Sequence, residues 1–419
     1  MSTVSRKLLT GNGAAAWGAR LAGVDYIPAF PITPQTEIIE TLSVWIDSGE
    51  LTAREVTLES EHSMITAAGA AAATGVRVFT ATSSQGLLYA MEMIYTVTGW
   101  RAPFVLVNVS RGLATPITLE PDHNDVLAAR DSGFLQIHTS TCQEVLDSVL
   151  IAYRLAEDKR IRLPVIVNMD GFYLSFTREP VTLPDPGACR RFVGEFQPQQ
   201  IEFRASTPES QGVAVLGGAP YSYFRYETHL AALNGLQVYD EVAGQFAEQF
   251  GRRHAAVEAY QCDDAEIVFV MIGSFASKAR EAVDRLREAG TAVGLVRPRL
   301  FRPFPAAALR ALLTEKRAAV IIDQNLSIGR GGVLHTEIAA ALYGLPGAPP
   351  LLSFIGGLGG RDIGSNEFFE MVRLAEQAAA TGEVPEPRLL YTRNELREVR
   401  KLQAAAHVER RELKEAPHE

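Results

Sequence analysis

The sequence predicts an α/β protein made of two successive parallel-sheet units, and three observations carry that expectation. Through the first 170 residues, short β-rich runs without polar alternation are separated by segments of helix length; such strands belong to parallel sheets covered on both faces. Between about 172 and 261 the pattern loosens, broken by Pro180, Pro184, Pro186, Pro198, Pro208 and Pro220 and by the Gly217-Gly218 pair. Beyond that stretch the alternation returns, and a length of 419 residues leaves room for a second full core.

Element by element, residues 26–30, 76–80, 104–109, 134–138 and 165–167 read as strands of the first unit, with helices at 34–45, 62–73, 87–96 and 143–157. Thr33 suits an N-cap and Pro34 a first helical position, so this pair marks a helix start. The Pro-rich stretch is expected to run extended over the first unit and to end in a helix near 239–260. The second unit takes strands at 267–272, 292–296, 320–323 and 351–355 and helices at 277–288, 306–313 and 333–343. From 390 the chain is highly charged, with Leu396, Val399, Leu402 and Ala406 in a narrow apolar stripe; a clamping helix and a frayed tail both fit. The expected division is 1–255, 256–385 and a charged tail at 386–419.

Composition removes several classes of function. Forty Lys and Arg against 49 Asp and Glu leave a net charge of −9 with no basic stripe, which argues against a nucleic-acid partner. The apolar run 267–272 is strand-sized and no run approaches a membrane span. Arg6-Lys7 before Leu8-Leu9 echoes a secretory leader, but Asn12, Trp17 and Arg20 interrupt it, so a cytoplasmic location is expected. Cys142, Cys189 and Cys262 stand far apart without a Cys-x-x-Cys pattern, which excludes a locally encoded iron–sulfur or zinc site.

Ligands of open α/β sheets bind outside the carboxyl ends of the strands. The distinctive residues fall there: Thr33, Ser83-Ser84-Gln85 and Ser110-Arg111. Glu61 is the most informative residue. It stands in Glu59-Ser60-Glu61-His62, at the mouth of a helix that continues in Ala and Gly. Small residues allow close helix packing and offer a carboxylate no shelter, so the charge is costly unless a specific donor meets it. Burial with one fixed partner tunes the proton affinity of such a group; a helix start also favours acids through its dipole. Arg111, leaving a buried strand beside Gly112, offers a planar donor fork suited to a carboxylate. An ion pair with Asp122 or Asp125 is its structural alternative. His123, in Glu120-Pro121-Asp122-His123-Asn124-Asp125, is either a proton-transfer group or an exposed loop residue. His62 has no partner at ligand spacing, so no metal site is expected. Gly329-Arg330-Gly331-Gly332 lacks the spacing of a dinucleotide site and reads as a helix-entry turn.

Four motifs in order resemble the α subunit of the 2-oxoacid:acceptor oxidoreductases, the family that includes pyruvate:ferredoxin oxidoreductase. They are Pro31-Ile32-Thr33-Pro34, Ser60-Glu61-His62, Thr80-Ala81-Thr82-Ser83-Ser84-Gln85-Gly86 and Ser110-Arg111-Gly112-Leu113-Ala114-Thr115-Pro116-Ile117. The resemblance covers nearly the whole chain, down to Arg299-Leu300-Phe301-Arg302-Pro303-Phe304-Pro305. It implies a pyrimidine-binding domain of the thiamine diphosphate enzymes, followed by a transketolase C-terminal-like α/β domain. The implied activity is oxidative decarboxylation of a 2-oxoacid to an acyl-CoA and carbon dioxide, with thiamine diphosphate as cofactor and CoA as co-substrate. Glu61 matches the family's glutamate that hydrogen-bonds the aminopyrimidine ring, a role that a raised proton affinity suits. Arg111 matches the residue that pairs with the substrate carboxylate and Thr33 a hydroxyl beside the reacting carbonyl. Pro31, Thr33, Ser84 and Gln85 fall at cofactor-binding positions, and Gly112 and His123 beside the substrate.

The Gly-Asp-Gly motif that holds diphosphate and magnesium in thiamine enzymes is absent, and Met169-Asp170-Gly171 has no suitable follower. The resemblance therefore implies a hetero-oligomer. A β subunit would hold diphosphate and Mg2+, γ and ferredoxin-like δ subunits would accompany it with iron–sulfur clusters, and a flavin subunit would join if the final acceptor is a nicotinamide. Pyruvate-oxidising members carry Arg-Ala after the strand and an aromatic residue before Asn-Asp in the next loop, where this chain has Arg111-Gly112 and Leu119-Glu120-Pro121-Asp122. Loss of a side chain and a ring is expected to widen the acyl end of the pocket. The stretch 114–125 is most similar to the phenylglyoxylate dehydrogenases. Phenylglyoxylate, giving benzoyl-CoA, is thus the expected substrate; pyruvate, giving acetyl-CoA, and a non-catalytic assembly role are the alternatives.

Overall fold

A computed structural model describes residues 5–197, 206–208, 210, 212 and 214–415. Its first sheet has the strand order Leu300–Arg302, Leu135–His138, Val165–Asp170, Val105–Ser110, Phe79–Thr82. The last four run parallel, and every residue of the two central strands is buried. Side chains alternate between two cores: Val105, Val107, Val165 and Val167 face one, Leu106 and Ile166 the other. Both faces are covered, which is why these strands read as unbroken apolar runs. Tyr26–Ala29 extends the layer through a parallel bridge from Tyr26 to Val78 and pairs with Arg54–Thr57.

The second sheet has the order Arg388–Leu389, Leu351–Ile355, Ala318–Asp323, Ile267–Val270, Val293–Pro298, Val257–Tyr260, parallel except for the last pair. The two units are sewn together. Leu300–Arg302 leaves the second unit and pairs antiparallel with Leu135–His138 of the first sheet. Val268, Val270, Val296 and Phe301 share a core with Met64, Ile94 and Leu106. Glu144 of the helix Cys142–Ala156 binds Arg297 Nη2 at 2.6 Å and Arg299 Nη2 at 2.9 Å across the junction. Burial works against the charge of Glu144, but the two guanidinium groups overcome it and hold the carboxyl well below its usual range.

Several elements differ from expectation, each for a local reason. The Ser5–Thr10 segment is an edge strand paired with Arg178–Leu183, and Gly11–Ala22 is a helix capped by Thr10, whose Oγ1 accepts from Gly13 N at 3.0 Å. Residues 34–35 do not open the next helix: Gln35 N donates to Ile32 O at 3.0 Å, closing a turn, and the helix spans Thr36–Asp47 with no side-chain cap. Thr33 therefore caps nothing. The run 87–96 lies in two helices, Ser84–Tyr89 and Met91–Gly99, separated at Ala90. The helix expected at 239–260 is far longer upstream, Gly218–Phe250, and ends at Gly251, whose left-handed backbone (φ 72°) caps it. Pro220 is tolerated because it sits in the first turn, where N–H groups have no intrahelical partner. Residues 257–260 are strand rather than helix. Pro198, in the stretch expected to run extended, lies outside the described residues. The charged tail forms the helix Arg393–Glu415, fastened by Arg361 to Glu395 at 2.8 Å, with Leu396, Val399 and Leu402 exposed. Among the described residues no helix is long and apolar enough to cross a membrane.

Candidate active site

Glu61 is the first residue of the helix Glu61–Ala73 and is only 5% exposed. The cap is its neighbour: Ser60 Oγ accepts from Ser63 N at 3.2 Å, so the carboxylate of Glu61 is not needed to start the helix. The close packing expected of the Ala/Gly sequence is present, since Gly69 leaves no room for a side chain against Val97. The Glu61 carboxylate instead lies over Gly86. A methyl built on Gly86 would stand 2.9 Å from Glu61 Cδ and 2.6 Å from Thr82 Oγ1. Burial raises the pKa of Glu61, and only its own backbone N–H opposes the shift. Thr82 Oγ1 and Ser83 Oγ are buried without a hydrogen-bond partner among the described residues.

Arg111 follows the strand Val105–Ser110 and is 8% exposed. Its Nη1 donates to Thr33 O at 2.8 Å and its Nη2 to Gln85 Oε1 at 3.2 Å, while Nε is buried and unmatched among the described residues. The alternative of an ion pair with Asp122 or Asp125 does not hold for the guanidinium. Asp125 accepts from the backbone N of Arg111 at 3.3 Å instead. Burial lowers the Arg111 pKa, opposed by the field of Asp125, and the group stays a cation. Ser84 Oγ lies 2.6 Å from Gln85 Oε1 and 3.0 Å from Gly112 O. The loops after three neighbouring strands thus bring Thr33, Ser84, Gln85, Arg111 and Gly112 into one hydrogen-bonded group. Pro31 and Thr33 lie on its exposed rim.

His123 is neither exposed nor part of that group. It is fully buried, its Nε2 2.6 Å from Asp170 Oδ1, and Ser274 of the second unit holds the other Asp170 oxygen. Burial disfavours the imidazolium, but Asp170 outweighs it and raises the His123 pKa, so the two form a buried pair within the first unit, and Asp170 carries the link to Ser274 of the second. The Gly112 expectation also changes. A methyl on Gly112 would meet Thr118 Cγ2 at 2.6 Å and Asp122 Oδ2 at 3.0 Å, so the space left by a missing side chain is filled. The residue sequence reasoning missed is Asp125, fully buried and bonded to Ser84, Asn108, Ser110 and Arg111. In sequence it reads as an ordinary helix-start acid, and its partners lie 14 to 41 residues away.

The comparisons with known proteins follow the same lines. The family described as pyruvate flavodoxin/ferredoxin oxidoreductase, thiamine diP-binding, matches residues 17–241, and pyruvate:ferredoxin oxidoreductase core domain II matches 265–368. The chain is 40% identical over 382 residues to pyruvate synthase subunit PorA of Pyrococcus furiosus, covering 91% of this chain and 96% of that one. It is 42% identical over 370 residues to the PorA of Methanothermobacter thermautotrophicus, covering 88% and 95%. It is 39% identical over 362 residues to ketoisovalerate oxidoreductase subunit VorA of Pyrococcus horikoshii, covering 85% and 90%. A solved 2-oxoglutarate:ferredoxin oxidoreductase from Magnetococcus marinus, with 2-oxoglutarate, coenzyme A and succinyl-CoA bound, has a similar fold at TM-score 0.68 and 20% identity. That likeness covers 88% of this chain and 65% of the other, just under two thirds of its length.

Proposed function

Since the chain belongs to the pyruvate flavodoxin/ferredoxin oxidoreductase family, we propose that it is the α subunit of a thiamine diphosphate-dependent 2-oxoacid oxidoreductase. The reaction is oxidative decarboxylation to an acyl-CoA and carbon dioxide, with electrons leaving to iron–sulfur partner subunits in the cytoplasm. One observation carries the proposal. A buried carboxylate of raised proton affinity, Glu61, and a cationic fork, Arg111, stand at the same strand ends with buried hydrogen-bonding atoms still unmet.

Bound thiamine diphosphate supplies a nucleophilic carbon and an electron sink. Glu61 would hydrogen-bond its aminopyrimidine ring, a role that the proton affinity raised by burial suits. The unmatched Thr82 and Ser83 hydroxyls are further groups available to the ring. Arg111, its direction fixed by Thr33 O and Gln85 Oε1, would take the substrate carboxylate. Thr33 and Pro31, on the exposed rim, would line the mouth against a β subunit that holds diphosphate and Mg2+.

Pyruvate is the favoured substrate, in place of phenylglyoxylate. The filled space at Gly112 withdraws one of the two reasons for a wide pocket, and relatives at about 40% identity include pyruvate synthase subunits. A branched 2-oxoacid is the second reading, resting on the ketoisovalerate relative. The complex, purified with its partner subunits, should reduce methyl viologen with CoA and pyruvate faster than with ketoisovalerate or phenylglyoxylate. A clear preference for phenylglyoxylate reverses the substrate reading. Glu61→Gln should lower turnover by about 10²–10⁴-fold with the complex still assembled; full turnover in that variant removes the catalytic assignment and leaves an assembly role.

A further inference from the structure

We infer that Asp125 is a positioning residue, setting the Arg111 fork and the Ser84-Gln85 turn in a single arrangement. The inference rests on the reading of Arg111 as the carboxylate-binding group. Its grounds are geometric. Asp125 has no exposed surface, and both of its oxygens are engaged. Oδ2 accepts from the N–H of Ser84 at 3.0 Å, from the N–H of Arg111 at 3.3 Å and from Asn108 Nδ2 at 3.1 Å. Oδ1 accepts from Ser110 Oγ at 2.8 Å and from the N–H of Val126 at 2.7 Å.

Two of these donors govern the fork. Arg111 is held by its own backbone. Ser84 has a left-handed backbone (φ 49°), which a residue with a side chain keeps only where its surroundings fix it. The Ser84 hydroxyl lies 2.6 Å from Gln85 Oε1, the same oxygen that accepts from Arg111 Nη2 at 3.2 Å. One carboxylate therefore fixes both the root of the guanidinium and the partner of its tip. The start of the short helix Asn124–Ala128, which carries Asp125, is in turn fastened by the second unit. His123 N donates to Gln324 O at 2.8 Å, and Leu326 N to Asn124 Oδ1 at 3.0 Å.

An amide cannot substitute for this carboxylate. On the Oδ2 side its NH2 would face three donors; on the Oδ1 side it would face the N–H of Val126, with only the Ser110 hydroxyl free to turn. In the assembled complex, Asp125→Asn should raise KM for the 2-oxoacid by about tenfold or more. It should weaken calorimetric binding of oxamate, a 2-oxoacid mimic that is not decarboxylated, to the same degree. Hydrogen–deuterium exchange at C2 of the bound cofactor, which reports on Glu61, should stay within about twofold of wild type. Ser110→Ala, which removes a hydroxyl shared by Asp125, Asn108 and Asn168 and leaves the backbone bonds, should weaken oxamate about two- to fivefold with the complex still assembled, and it decides the matter if Asp125→Asn does not assemble. In an Arg111→Ala background, Asp125→Asn should add less than about twofold, because residues acting through one group do not add.

Unchanged oxamate binding in the Asp125 and Ser110 variants, with Arg111→Ala weakening it, overturns the inference and leaves the functional reading standing. Unchanged binding in Arg111→Ala removes that reading as well. Oxamate binding and C2 exchange falling together would assign Asp125 to general folding and equally overturn the inference.

Discussion

Gly86→Ala tests the reading of Glu61 without altering any charged group. The added methyl would stand 2.6 Å from Thr82 Oγ1, 2.9 Å from Glu61 Cδ and closer still to Glu61 Oε1. Ordinary contact begins at 3.4 Å, so the carboxylate has to retreat by about 1 Å. Two costs can be separated. For folding, a helical Ala in place of Gly gains up to about 1 kcal/mol, whereas overpacking costs about 1–3 kcal/mol. The obstruction is mainly the tip of a flexible side chain, so the net change should stay within about 2 kcal/mol and move Tm by only a few degrees. For catalysis, a group displaced by 1 Å costs about a hundredfold, equivalent to about 2.7 kcal/mol of barrier. The assay is methyl viologen reduction by the complex with pyruvate and CoA, alongside Tm. The expected result is kcat down about a hundredfold, KM for pyruvate little changed and the complex intact. Full kcat in an intact complex would refute the placement of Glu61 at the reacting cofactor.

The other predictions concern the junction and its titration. Glu144→Ala leaves buried Arg297 and Arg299 to share Glu258 and should cost about 1–3 kcal/mol, read as a lowered Tm with the junction loosened first in hydrogen exchange. Buried His138, whose pKa burial and His123 push down to about 3, stays neutral when folded but takes a proton near its ordinary 6.5 when unfolded. Its contribution is fully present above pH 6.5 and is lost as pH falls from there toward about 3. His138→Gln should flatten the fall of stability across that window in pH-dependent melting, and an unchanged slope would count against it.

What the sequence made legible depended on repetition and position. Strands such as Val105–Ser110 announce themselves because both faces are apolar, and ligand-facing residues follow at their ends by the geometry of parallel sheets. The edge strand Ser5–Thr10 did not, since Arg6 and Lys7 are exposed and the pairing with Arg178–Leu183 spans most of a domain. The front of the helix Gly218–Phe250 carries exposed Tyr221, Tyr223 and Tyr226, and its buried stripe begins only at Ala231. Periodicity therefore placed its start too late. Leu300–Arg302 is three residues long, too short for any pattern, yet it joins the two units. Thr33 met the rule for an N-cap but was outbid by the turn that Gln35 closes. Asp125, read as a helix-start acid, and His123, read as a proton-transfer or loop residue, were misplaced because their meaning lies in partners distant in sequence, which no local signal encodes.

Two of the helix starts that carry carboxylates differ in a way that bears on where a diphosphate can sit. At Val333–Leu342, Asp323 accepts from Leu334 N at 2.7 Å and His335 N at 3.2 Å, and Gly332 is needed because any side chain would strike it. That helix start is filled from within: burial pushes Asp323 up to about 7, and its carboxyl already occupies the place an anion would take. At Glu61–Ala73 the capping is left to Ser60, and the Glu61 carboxylate is turned toward Gly86 and Thr82. A polyanion gains nothing beside a buried acid, so this start suits a ring and not a phosphate. Under the proposed function the cofactor is therefore divided, its ring to this chain and its diphosphate to a partner with Mg2+. The isolated chain should bind thiamine diphosphate no tighter than thiamine itself, whereas the assembled complex should prefer the diphosphate form by at least about a hundredfold. Equal preference for the diphosphate in the isolated chain, measured by calorimetry, would end that division.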